Sequence, residues 1–252
     1  MTFEGLVFFL LKEKFFESLK QLIATIEEKQ NDGITKAAQV IADAMADGKC
    51  VHIYDTGHML NSELLNRAGG LTAFRALNIS LHVDDNVRKR PRDPGVDRSM
   101  AGLMHFALKQ SNVHPGDVLV IGSVSGKSVS PVDLAIAAKE FGAYVIAMTS
   151  VEYSSQLKSE HPTGKRLFEA ADLVLDNCAP PLDAMVEVPG QDIAICPASG
   201  ISAATIMWAV KAQVVELLLE KNKKPSILKS INNPGSDVFN EEVYRRYEET
   251  GC

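Results

Sequence analysis

The chain has 252 residues, 46% of them hydrophobic and 23% charged, with a formal net charge of −6. That is enough apolar material for one large core or two modest ones, and it excludes a fibrous or disordered chain. The acidic balance also excludes broad, sequence-independent nucleic-acid binding, which needs a basic face to displace counterions.

The apolar run from Gly5 to Leu11 is short for a membrane span, and Glu4 with no small-residue cleavage site argues against a secretory leader. No membrane partner and a cytoplasmic location are therefore expected. From Phe8 to Ile26 the positions Phe8, Leu11, Phe15, Leu19, Leu22 and Ile26 recur at steps of three and four, the period of one helical face. Asn31-Asp32-Gly33 reads as a break, after which Ile34, Ala37, Ala38, Ile41, Ala44 and Met45 repeat the spacing up to Asp47-Gly48. The expectation is an N-terminal helical pair over residues 1–47. Its phenylalanines Phe8, Phe9, Phe15 and Phe16 exceed what a lone surface helix exposes, which points to a second copy of the chain as partner, or to a larger internal core.

Cys50 to Tyr54 is a β-rich run ending in Asp55-Thr56-Gly57-His58, and Met59 to Ala68 reads as a helix stopped by Gly69-Gly70. Ile79 to Val83 reads as a second strand, Met100 to Leu108 as a helix, Val118 to Ile121 as a third strand, and Val132 to Phe141 as a helix ended by Gly142. Tyr144 to Met148 and Asp172 to Leu175 complete the strands, and Ile201 to Glu220 is a long helix. Strands alternating with helices imply parallel pairing through right-handed crossovers, hence a three-layer α/β fold with an open parallel sheet of about five strands and helices on both faces. Ligands in such sheets bind beyond the carboxyl ends of the strands, so the turns after Tyr54, Ile121, Met148 and Leu175 share one rim. No composition shift marks a second domain: residues 48–221 form the α/β core and 222–252 a C-terminal tail. Cys50, Cys178, Cys196 and Cys252 show no CxxC pair and no metal-ligand spacing, so free thiols, no metal site and no cofactor are expected.

Gly122-Ser123-Val124-Ser125-Gly126-Lys127-Ser128 lies between an apolar strand and a helix N-terminus. A hydroxyl-rich turn there offers backbone N–H groups and side-chain hydroxyls to a phosphate, and the helix dipole favours its charge. Serine is also common before helices for capping alone. The segment reads GxxxGKS, one residue short of the P-loop of NTPases, and the hydrolase elbow GxSxG fails because Val124 holds the nucleophile position.

Ser123 to Ser128 resembles the SxSGx[ST] phosphate loop of sugar isomerase (SIS) domains, followed by Pro131, Ala138-Lys139 and Gly142 to Ser150 as in that family. Asp55 to His58, Arg67 to Leu71, Asp176 to Pro180 and Ser230-Ile231-Asn232 resemble a group of SIS phosphosugar-binding proteins close to the phosphoheptose isomerases. The resemblance implies a flavodoxin-like sheet in a single SIS domain over residues 1–252, usually dimeric, with a phosphorylated sugar as ligand. It places the phosphate on Ser123, Ser125, Ser128 and the backbone of Val124 and Gly126. SIS loops commonly read GxGxS at the first turn, where this chain has Asp55-Thr56-Gly57-His58-Met59; Thr56 is the hydroxyl left to serve there. Asp55 either meets a sugar hydroxyl or caps the next helix, and Gly57 beside it is placed with the sugar-binding residues. Asp176 and Asn177 either read sugar hydroxyls or form the turn.

An aldose–ketose isomerase needs a base near C1/C2 and an acid or base to open the ring. Glu63 and His58 are the nearest candidates, against bland roles as a solvated helix residue and a rim or capping residue. The phosphoheptose isomerases use a histidine from the late helix, and this chain has Lys211, Gln213 and Glu216 there instead. The expected function is thus phosphosugar binding, with isomerisation, a non-catalytic sensor and a P-loop-like NTPase as successive alternatives. Arg88 to Arg98 is a proline-broken basic loop, a solvated surface or a flap over the rim.

Overall fold

Val118-Leu119-Val120-Ile121-Gly122 is buried at every position, as a strand covered on both faces must be. A computed structural model describes residues 10–57, 59–96 and 99–252 and sets this segment in the middle of the sheet. In chain order the elements are α1 (Leu11–Ala46), β1 (Val51–Asp55), α2 (Asn61–Leu64), β2 (Phe74–Ala76), α3 (Leu103–Lys109), β3 (Val118–Gly122), α4 (Val129–Glu140) and β4 (Tyr144–Thr149). They continue with α5 (Val151–Ser155), α6 (Leu167–Ala170), β5 (Leu173–Asp176), β6 (Ala184–Glu187), β7 (Ala194–Pro197), α7 (Ser199–Glu220) and α8 (Ser236–Thr250).

Strands pair in the order β2-β1-β3-β4-β5, all parallel, with His52 opposite Leu119 and Asp55 opposite Gly122. Helices cover both faces, as the alternation of elements predicts. One core joins α1 and α7 to the sheet through Ile26, Ile41, Met45, Ile206, Val210 and Leu218, and the other joins α3, α4 and α6 through Met104, Leu134 and Leu167. By length and composition α7 alone among the described helices is apolar enough to cross a membrane, yet Ala203, Ile206, Met207, Val210, Val214 and Leu218 are buried within this chain.

Four expectations are corrected. The helical pair is one continuous helix, α1, because Asn31-Asp32-Gly33 stays helical: Gly33 lies against Leu175 and Val174, and Gln30 Oε1 accepts the Asp176 N–H at 3.0 Å. The second strand is Phe74–Ala76, not Ile79 to Val83. Phe74 is buried, whereas Leu81 and Val83 are 61% and 76% exposed with no strand beside them. The helix read from Met59 to Ala68 contracts to four residues, since Leu60 and Leu64 are pinned in the core and Leu65 turns extended. The C-terminal tail carries α8, which buries Val243 and Tyr247, and an antiparallel β6–β7 hairpin stands unforeseen between β5 and α7. Phe8 and Phe9 lie outside the described residues.

Candidate functional site at the sheet switch point

Sheet order reverses between β1 and β3, and the crevice outside their carboxyl ends is the usual ligand position in such a sheet. Two loops meet there: Asp55 to Gly57 leaves β1, and Ser123 to Ser128 leaves β3. Tyr54, Asp55, Thr56, Ser128 and Ser130 line a cleft of about 380 Å³, closed on the far side by Leu77 to Ser80. Sequence reading missed Asn78, Ser80 and Ser130 as lining residues. Ser80 was hidden because a strand was expected in its place.

The serine loop is anchored from behind, leaving its front unclaimed. Ser123 N–H donates to Met148 O, Ser150 N–H and Thr149 Oγ1 both donate to Val124 O, and Leu167 N–H donates to Gly126 O. Gly126 takes a φ of +55° with Thr149, Ser154 and Leu167 close around it, which a side chain would obstruct. Among the described residues, no hydrogen bond takes the N–H groups of Val124, Ser125, Gly126, Lys127 or Ser128, or the hydroxyls of Ser123, Ser125 or Ser128. Ser128 is the N-cap of α4 yet makes no side-chain capping bond, so the capping explanation for the serines does not hold. Lys127 turns away to pair with Glu160 at 2.7 Å, and that carboxylate raises the pKa of its ammonium. A P-loop lysine has to face the phosphates instead.

The other expected residues divide. Asp55 Oδ1 accepts Gly57 N–H at 3.2 Å and Oδ2 accepts Leu60 N–H at 2.7 Å, so its carboxylate orders the approach to α2. Thr56 Oγ1 donates to Gly122 O at 3.2 Å and ties the two rim loops together. Burial, and then the Asp55 charge, push up the pKa of Tyr54 beneath them. Asp176 Oδ1 accepts from Val151 and Cys178 N–H. Asn177 is fully buried, its Oδ1 accepts from Ala179 N–H and its amide donates to Met59 Sδ, so it braces the rim turn from inside. Glu63 is not brought into the cleft. It pairs with Arg67 and lines a separate groove of about 500 Å³ with Ile201, Thr205 and Trp208 of α7. His58 lies outside the described residues.

Behind α2 stands Lys211, to which sequence reading assigned no role beyond its place in the late helix. Lys211 of α7 is 3% exposed, donates from Nζ to Leu64 O at 2.5 Å, and lies 4.6 Å from the centre of the Phe74 ring and 4.7 Å from that of Trp208. Burial lowers its pKa to about 8. A lysine in an otherwise apolar helical stripe is the signal that could have found it.

A SIS domain profile matches residues 14–150. A UPF0309 protein of Halalkalibacterium halodurans is 33% identical over 93% of this chain and 95% of its own length. One from Shouchella clausii is also 33% identical, over 94% of this chain and 96% of its own. The solved structure of a phosphoheptose isomerase from Francisella tularensis is 15% identical, spans 82% of this chain and 95% of that one, and has a TM-score of 0.47.

Proposed function

The chain belongs to the SIS domain family, and on that premise we propose that it binds a phosphorylated sugar with the phosphate on the serine loop. The observation that carries the reading is the run of five unclaimed backbone N–H groups and three unclaimed hydroxyls at the start of α4. An anion satisfies both sets at once and gains from the helix dipole. In this reading Ser123, Ser125 and Ser128, with the backbone of Val124 and Gly126, hold the phosphate, and Thr56, Gly57, Asp55 and Asp176 border the sugar. The whole chain acts as one domain in the cytoplasm. The exposed Phe16 and Ile23 on α1, with Leu10 just before it, favour a homodimer, which sedimentation velocity will show as a single species of twice the chain mass.

A non-catalytic sensor is favoured over an isomerase by one observation: Glu63 is held by Arg67 beside α7 and not by the cleft. A thermal-shift panel of hexose, heptulose and aminosugar phosphates tests binding, since a ligand of the native state raises the melting temperature. Ser125→Ala and Ser128→Ala should each lose most of the shift, and a panel without any hit rejects the assignment. Absence of C2 proton exchange in deuterated water with a bound sugar phosphate selects the sensor. Exchange abolished in Glu63→Gln with binding intact selects the isomerase.

A further inference from the structure

We propose that Cys50, His52 and Asp117 bind one transition-metal dication of borderline softness, zinc being the type, at the amino end of the sheet. This site lies at the opposite end of the strands from the serine loop and does not rest on the phosphosugar reading. Cys50 immediately precedes β1, His52 is its second residue, and Asp117 immediately precedes β3. Because Val51 and Val118 are partners in register, Cys50 and Asp117 are neighbours across the strand pair. Their donor atoms and a His52 ring nitrogen all lie within 4.8 Å of one another. Tetrahedral zinc with nitrogen and oxygen at ~2.0–2.1 Å and sulfur at ~2.3 Å holds its ligand atoms about 3.3–3.6 Å apart, so small side-chain movements suffice. The observed 3.1 Å between His52 Nε2 and Asp117 Oδ2 is already near that spacing.

The donors sit on rigid supports. Asp117 Oδ1 accepts Cys50 N–H at 2.9 Å and Oδ2 accepts His114 N–H at 2.8 Å, which orients the carboxylate while Oδ2, facing His52, keeps a second lone pair for a metal. Sulfur, imidazole and carboxylate together form a set suited to zinc, and too soft for magnesium or calcium. Cys50 and His52, with Asp117 buried behind them, border a cavity of about 780 Å³ whose wall includes Gln110, Asn112 and Tyr247, which leaves room for a water in a fourth position. Such an open position distinguishes a binding or reactive centre from a closed structural one.

Charge balance favours a dication here, and Tyr247 stands beside Cys50 in the wall of the same cavity. Binding replaces the thiol proton: Cys50–SH and M²⁺ give Cys50–S–M⁺ and a released proton, after which the dication offsets both the thiolate and Asp117. The nearby cations are partly occupied elsewhere: Arg75 lies over the Tyr244 and Tyr247 rings and 3.8 Å from Glu248, and Lys49 packs on Gly116. Spacing along the sequence could not show the site, because the third ligand lies 65 residues beyond the second.

The test is titration of the full chain with cobalt(II). One equivalent should bring up a near-ultraviolet thiolate-to-cobalt charge-transfer band. Cys50→Ser should lose that band, His52→Ala should bind at least about tenfold more weakly, and Cys178→Ser should keep it. Independently of any variant, zinc(II) should slow alkylation of Cys50 by iodoacetamide in the wild type, read by peptide mass spectrometry, without slowing that of Cys196. No band at one equivalent, an unchanged band in folded Cys50→Ser, or equal alkylation rates with and without zinc would each overturn the proposal.

Discussion

Gly126 shows how much of the serine loop rests on one backbone angle. At its φ of +55° a Cβ would stand 3.0 Å from Thr149 Oγ1, 3.1 Å from Ser154 Oγ and 3.2 Å from Leu167 Cβ. Neither Thr149 nor Leu167 is free to retreat, because Thr149 Oγ1 donates to Val124 O and Leu167 N–H to Gly126 O. Gly126→Ala should therefore cost about 1–3 kcal/mol, seen as a lower denaturation midpoint, and should blunt the response to sugar phosphates. A variant with wild-type midpoint and full ligand response would show that the angle is not required. This loop was legible in the sequence because its chemistry is local: strand end, glycines and serines fall within seven consecutive positions. Lys127 was not, since its direction is set by Glu160, 33 residues on. The position of Glu63 was not legible for the same reason, because Arg67 and the surface of α7 decide where it lies, and neither is implied by its place after the first rim loop.

At the scale of elements, α1 is where local propensity and packing disagree. Asn, Asp and Gly in succession ordinarily stop a helix, because each favours turns over helical backbone. Here Ile26 and Ile34 on either side are both buried and Gln30 accepts the Asp176 N–H, so continuing the helix keeps contacts that a break would lose. Gly33 is then a propensity cost without a steric need: a Cβ would meet Leu175 Cδ2 at 3.4 Å and Gln30 Oε1 at 3.6 Å, both ordinary contacts, and its φ is helical. Gly33→Ala should stabilise the protein by about 0.5–1 kcal/mol, measured as a higher urea midpoint at unchanged slope. A loss of stability would mean that the close approach of α1 to β5 depends on the missing methyl. The same tension explains β2. Ile79 to Val83 alternates like a strand, but a strand needs a neighbour, and the free edge of β1 is already taken by Phe74–Ala76, whose Phe74 brings more buried area. The β6–β7 hairpin has short, half-buried strands with little alternation to reveal them.

For the molecule as a whole, the consequential group is Lys211, because it joins α7, α2 and β2 in one buried contact. Its ammonium gains the Leu64 carbonyl and two ring faces but loses its water, and burial wins, bringing the pKa from 10.5 to about 8. The native state thus releases this proton before the unfolded chain does. Between about pH 8 and 10.5 the unfolded state holds more protons at this position, so the lysine makes stability rise with pH by up to ~3 kcal/mol, while below pH 8 both states are charged and it adds no slope. Cys178 acts in the opposite sense. Burial and then Asp176 raise its thiol to about 11, the native state keeps that proton longer, and stability falls from about pH 9 to 11. The two slopes overlap, so the wild-type curve alone does not separate them, but a difference curve does. Lys211→Met keeps the stem and removes the titration, leaving Leu64 O without its donor at a cost of about 1–3 kcal/mol that does not vary with pH. Urea unfolding at intervals from pH 7 to 10 should show the wild type gaining on Lys211→Met as pH rises above 8. A constant gap across that range would mean that the carbonyl and the rings hold the ammonium charged, and that Lys211 is a permanent buried cation bracing α2 beneath the rim.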